Sequence, residues 1–308
     1  MKVSVRVPAT TANLGPGFDC FGLALPVYNT ITIEELVDPN EDIQINVFSD
    51  EFDITEFHIP TDKTNIIYKA VDLLFSYVGQ VPQSMRINIY SDIPLASGFG
   101  SSASVIAGGL IATNELLGSP ADIDTLIAIG TEIEGHPDNL APAILGGFVL
   151  SSQESDGSVT TRKIQWPEEW KITMCHPDFE LPTSISRSVL PETVSLKDAV
   201  YNARRTAMMI DAIINKDEEL FKLSMQDKLH QPYRTKLVPG LAEIIKNLKH
   251  KENVLGTALS GAGPSIIVVT KDANTDEICN IVNDTWDSYG VNVSTRTVTV
   301  ENEGAKIL

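Results

Sequence analysis

Cysteine is scarce in this chain of 308 residues. Cys20, Cys175 and Cys279 stand far apart with no Cys-x-x-Cys pair, so neither a thiolate zinc site nor a disulfide framework is expected. Basic residues are also few. Lys and Arg number 23 against 41 Asp and Glu, a net charge of −18, which denies nucleic acid or an anionic membrane the basic face that either needs. No hydrophobic run reaches membrane-spanning length, and the N-terminus alternates like a strand rather than carrying a signal peptide's apolar segment. A cytoplasmic protein is expected. With only eight arginines, an anionic ligand must be gripped locally, by helix ends, a metal and a few basic groups.

What the chain does have is core-forming content, 43% hydrophobic beside 21% charged residues, enough for one large or two ordinary domains. Residues 93–117 read as strand end, glycine loop and helix. The run 85–90 alternates as a half-buried strand should, and Asp92 and Pro94 end it. Beyond the loop, Ala103, Ile106, Leu110, Asn114 and Leu117 recur at helical spacing, so a helix starts near Ser101 or Ser102. A helix start offers unpaired N–H groups and a positive dipole end, and Gly98 and Gly100 are expected to clear the approach of a phosphate. No Gly-Lys-Ser/Thr follows, so this is not a Walker A loop. Its Gly-x-Gly-x-x-Ala order fits a dinucleotide fingerprint or a plain strand-to-helix turn equally.

The flanking sequence narrows the choice. A break at 118–122 with Ser119, Pro120 and Asp122 reads as the start of a second helix, with Ser119 as N-cap, that ends at Gly135. Two antiparallel helices of similar length return the second one's end to the first one's start. Glu132 and Glu134 therefore come near Ser101 and Ser102, and Glu132 is expected to share Mg²⁺ with a hydroxyl there. A solvated helix-end charge is the plainer role. A Rossmann unit would need a parallel strand where this second helix stands, and the protein-kinase motif set is missing.

Other polar positions cluster in loops. The first strand, 2–7, is expected to empty into a loop over 8–19 that fixes Asn13 and Asp19 among Gly15, Pro16 and Gly17. Asn65 sits where it would cap a helix over 64–78. His136, Asp138 and Asn139 follow Glu132 closely, although each alone fits a turn or a structural histidine. Thr183 and Arg187 share a face if 181–190 is helical, and Arg234 lies in a loop over 231–234. A long helix is expected over 196–214, helices over 241–248 and 273–289, and strands over 254–259, 266–270 and 291–300. Residues 260–265, with Gly261 and Gly263, exceed what a tight hairpin needs. The connector at 166–170 is the best domain boundary, giving domains 1–165 and 166–308.

In order, Pro8-Ala9-Thr10-Thr11-Ala12-Asn13-Leu14-Gly15-Pro16-Gly17-Phe18-Asp19, the loop 94–103, His136–Pro142 and Leu259–Ser265 resemble the superfamily of galactokinases, homoserine kinases, mevalonate kinases and phosphomevalonate kinases. The N-terminal segment and His-Pro-Asp-Asn resemble the homoserine kinase family most. The resemblance implies an α+β fold of two domains, the first like ribosomal protein S5 and the second ferredoxin-like. It implies transfer of the γ-phosphoryl of ATP, with Mg²⁺, to the hydroxyl of L-homoserine on the route to threonine. It places ATP on Asn65, Pro94, Leu95, Ala96, Ser97, Gly98, Phe99, Gly100, Ser101, Ser102, Ala103 and Ser104, and Mg²⁺ on Ser102 and Glu132. Asp19, Asn13 and Asn139 would hold the substrate's ammonium and Arg187 and Arg234 its carboxylate, with His136, Thr183 and Gly261 also in the substrate site. Glu132, Asp138 and Arg187 are the catalytic candidates. Asp138 stands where mevalonate kinases have a catalytic aspartate, whereas homoserine kinases are thought to work without a dedicated base. The resemblance carries a homodimer with it. A sibling kinase for an alcohol such as mevalonate, or an ATP-binding regulator, stays open at this point.

Overall fold

The computed structural model describes residues 1–38 and 42–308, without the side chain of Glu56. The chain begins with a long antiparallel hairpin, β1 (Lys2–Asn13) and β2 (Gly17–Glu35). Pro8–Asn13, expected in a loop, instead continues the strand across a register shift at Pro8/Ala9, and only residues 14–16 form the turn. Asn13, Leu14, Gly15 and Asp19 all take positive φ there, so the tip is a tight, strained turn.

After β3 (Gln44–Phe48), helix α1 (Ile66–Tyr77) and β4 (Met85–Ser91) come α2 (Ser101–Leu116), α3 (Ile123–Glu134), a short α4 (Leu140–Leu145), β5 (Phe148–Gln153) and β6 (Val159–Ile164). The sheet runs β11-β1-β2-β4-β3, with β5 joining β2 to β6 and β3 parallel to β4. Here β11 is Lys306–Ile307. The second helix starts later than expected. Ser119 is left-handed, and Asp122 accepts from Thr125 N as the N-cap while Asn114 closes the turn onto Ala121. Inward residues of α1, α2 and β1 to β4, among them Ile67, Ile106, Leu110, Val5 and Ile87, form one core.

The second half supplies β7 (Lys171–Pro177), α5 (Thr183–Ser188), α6 (Leu196–Asn215), α7 (Glu218–Ser224), α8 (Gln231–Arg234), α9 (Leu241–Leu248), β8 (Val254–Leu259), β9 (Ile266–Thr270), α10 (Asp276–Ser288) and β10 (Val293–Val298). Their antiparallel order, β10-β7-β9-β8, is the ferredoxin-like arrangement of a βαββαβ chain. Along β9, Ile266 and Val268 pack on α9 and α10, while Ile267 and Val269 face a second core shared with Phe21, Phe99 and Phe148 of the first half. Both faces of β9 are buried, which its unbroken Ile-Ile-Val-Val run requires. The two halves thus share a core. Division at 165/166 also leaves out the tail, because β11 pairs with β1 in the first sheet.

Candidate functional site

A cleft of about 100 Å³ lies where the two halves meet. From the first half it takes Asn13, Asp19, Ala96–Ser102 without Phe99, Glu134, His136, Asp138 and Asn139; from the second, Leu181, Thr183, Arg187, Arg234, Gly261 and Ala262. All eight residues expected to bind substrate are therefore together.

The loop before α2 is shaped by its own groups. Ser97 Oγ donates to Pro94 O at 2.7 Å, and Gly100 at φ +67° begins the helix without a side-chain cap. The first-turn N–H groups of α2 therefore face the cleft uncapped. The two glycines, which line the cleft, also have a reason within the protein. A Cβ on Gly98 would lie 2.4 Å from Ser260 O, and one on Gly100 would lie 2.0 Å from Thr10 Oγ1. They clear neighbouring protein. Ser260 Oγ then donates to Gly98 O at 2.7 Å and Ser265 N to Ser97 O, so the second half braces the loop. Phe99, Ala103 and Ser104 are corrections to the expected contact set, since Phe99 and Ala103 fill cores and Ser104 Oγ bonds Asn29 and Ser101 O.

Beside the loop is a second, apolar chamber of about 230 Å³, walled by Val47, Ile59, Ile66, Ile89, Leu95 and Val105 and opening at Ser101 and Ser102. Asn65 lines it and caps α1 as well, accepting from Ile67 N at 3.0 Å.

Glu132 is misplaced as a ligand. It lies with Tyr77, Thr125 and Gln153 in another depression, and Glu134 takes its place, accepting from Ser102 Oγ at 2.8 Å. Two residues rotate a helix position by about 200°, so only one of the pair can face α2. Burial raises the carboxyl of Glu134 above its usual value, and Ser102, His136 and Arg187 counter part of that cost. Ser101 Oγ is buried with no hydrogen-bond partner. An orphan hydroxyl beside a hydroxyl–carboxylate pair fits a hard cation with its phosphate oxygens. Asp19, His136 and Asp138 also bring ligand atoms within 4.8 Å of one another. Those atoms are committed: Asp19 takes Arg187 Nη2 at 2.7 Å and Nη1 at 3.2 Å, and Asp138 Oδ1 takes His136 Nδ1 at 2.6 Å. Burial alone would lower the His136 pKa, but the hydrogen bond and charge of Asp138, with Glu134, raise it.

Asn13 and Asn139 have their amides engaged by protein. Asn13 Nδ2 donates to Gly261 O and its Oδ1 accepts Asp19 N, while Asn139 Oδ1 accepts Thr10 Oγ1 and its Nδ2 reaches Asp138. Of the three residues expected around the ammonium Asp19 is the carboxylate, and it is paired with Arg187. Arg234 does not sit in an open loop. It is 1% exposed on α8, with neutral acceptors at Ser186 O, Gly261 O and His230 Nδ1. Burial, then the neighbouring Arg187, push its pKa down to about 10. A buried cation costs several kcal/mol to desolvate, and hydrogen bonds to neutral groups return only part of that. An anion is called for.

His230 is held neutral beneath it. Its Nε2 donates to Gly15 O at 2.8 Å, leaving Nδ1 to accept from Arg234. Burial lowers its pKa and Arg234 adds to this, against the pull of Asp227. As pH falls through 6.5 the unfolded imidazole takes a proton that the folded one refuses, so stability present above that pH is lost toward the lower folded pKa. Between about pH 7.5 and 5.5 the melting temperature of the wild type should fall roughly 2–4 °C more than that of His230→Gln. Equal falls would show that His230 does not contribute.

The sequence profile described as GHMP kinases N terminal domain matches residues 65–147, and that described as GHMP kinases C terminal matches 209–288. The chain is 38% identical over 303 residues to the homoserine kinase of Carboxydothermus hydrogenoformans, covering 98% of this chain and 96% of that protein. It is 41% identical over 279 residues to the homoserine kinase of Clostridium botulinum, covering 91% and 90%. In structure it resembles the crystal structure of homoserine kinase from Cytophaga hutchinsonii with a TM-score of 0.86 and 27% identity, covering 100% of this chain and 97% of that one.

Proposed function

The chain belongs to the homoserine kinases of the GHMP kinase family, and from that premise we propose how its cleft performs the reaction. It is a phosphotransferase that moves the γ-phosphoryl of ATP to the hydroxyl of L-homoserine, giving O-phospho-L-homoserine in threonine biosynthesis. The observation that carries the site assignment is one small cavity holding an anionic pole at Asp19, a cationic pole at Arg187 and Arg234, and the uncapped start of α2. These poles complement a zwitterion with a polyphosphate beside it.

Asp19 and Arg187 form an ion pair across the two halves. The amino acid brings the same two charges in the opposite sense, so its ammonium replaces Arg187 for Asp19 and its carboxylate replaces Asp19 for Arg187. Arg234 gains the anion that it lacks. A ligand with a carboxylate alone would leave Asp19 uncompensated, which disfavours mevalonate. The adenine enters the apolar chamber beside Leu95, and the phosphates meet the N–H groups at Ser101 and Ser102. Ser102 and Glu134 are the residues that hold Mg²⁺, which when bound spreads the charge of the transferring phosphoryl group. A cytoplasmic homodimer completes the reading, with three free thiols suiting a reducing compartment. An ADP-release assay across homoserine, mevalonate and galactose tests it: turnover confined to homoserine is expected, and turnover with mevalonate alone would reverse it.

Asp138 acts by position. Its Oδ1 collects His136 and Asn139, fixing the floor of the cleft. A loose phosphoryl-transfer transition state makes little demand for an alkoxide. Removing a true general base costs about 10²–10⁴-fold. Asp138→Asn should lose less than about tenfold in kcat on that scale, and complete loss with ATP binding intact would make Asp138 the base.

A further inference from the structure

The ring of Phe18 stands at the meeting point of the cationic pole, and neither the reaction nor the sequence motifs give it a task. The Arg187 guanidinium carbon lies 5.6 Å from the ring centroid and that of Arg234 lies 5.2 Å from it. The neutral imidazole of His230 stacks on the same ring at 5.1 Å and 20°. Phe18 belongs to β2, whereas the two arginines come from α5 and α8 of the other half.

Two guanidiniums converging on one carboxylate repel each other until the anion arrives. Arg187 has Asp19 to hold it, but Arg234 has no carboxylate partner among the described residues. A π face within about 6 Å attracts a cation without neutralising it, by roughly 0.5–2 kcal/mol depending on desolvation. It can therefore hold both groups in place and leave both charges available to substrate. A carboxylate in that position could not.

We infer that Phe18 is a positioning residue for substrate carboxylate recognition: its ring holds Arg187 and Arg234 at the separation in which both can grip one carboxylate. This rests on the reading of the cleft as a homoserine site. The two guanidiniums need a ring face, so the chemistry of the residue matters and not its bulk.

The test compares Phe18→Leu with Phe18→Tyr. Leu keeps an apolar side chain of similar reach, and Tyr keeps the π face. Phe18→Leu should raise KM for homoserine roughly tenfold, with KM for ATP within about twofold, and Phe18→Tyr should stay near wild type. Calorimetric titration of L-homoserine without ATP should give the same ranking in Kd. Leu and Tyr behaving alike, or the two KM values rising together, would overturn the role of Phe18, since packing alone predicts that pattern. A wild type that neither binds nor phosphorylates homoserine would instead overturn the functional reading beneath it.

Discussion

Glu134→Gln should lower kcat/KM for homoserine phosphorylation roughly a hundred- to a thousand-fold, the scale on which single groups that stabilise transition-state charge act. The substitution keeps the shape of the side chain and the acceptor for Ser102 Oγ, but removes the charge that a divalent cation needs. Glu132→Gln is its internal control. It lies two residues earlier on the same helix, faces Tyr77 and Gln153, and should stay within about twofold of wild type, as surface changes do. Initial rates over a Mg²⁺ titration would separate the two, with ATP binding as a check on the fold. The opposite ranking would return the metal role to Glu132.

The second large effect concerns the buried guanidinium. Arg234→Met keeps most of the side-chain volume while removing the cation, and should raise KM for homoserine about a hundredfold, within the 2–5 kcal/mol typical of breaking a buried charge pair. KM for ATP should change little, because the apolar chamber proposed for adenine takes no side chain from α8. Some thermal stability will go with it, since Ser186 O and Gly261 O lose a donor. The KM ratio is therefore the measurement that decides. An equal rise for ATP would place Arg234 on the phosphates.

Much of this site could be read from residue order, for physical reasons. The glycine loop, the change of period at Ser101 and the short break before α3 are local signals, and together they place a carboxylate at the helix start. Choosing between Glu132 and Glu134 needed the rotation of α3 about its axis, which antiparallel helix lengths leave open. The hairpin of β1 and β2 stayed hidden because Pro8, Pro16 and four glycines or small residues look like loop, and only pairing with a partner strand makes 8–13 extended. In the same way Gly98 and Gly100 signalled a close approach, which they make to Ser260 and Thr10, partners that are distant in sequence. Asn13 shows the limit most plainly. Its motif pointed to the substrate, and its amide ties Asp19 to the loop at Gly261.

That the phosphate loop is braced from the second half has a bearing on how the enzyme is made. Gly98 and Ser260 are 162 residues apart, so during synthesis the glycine loop leaves the ribosome on the order of 8–30 s before its brace. Throughout that interval the nascent first half lacks the groups that hold the cradle in shape. The loop is expected to reach its final shape only after residues 260–265 have been made, so a chain truncated before them should bind nucleotide less tightly than the full chain.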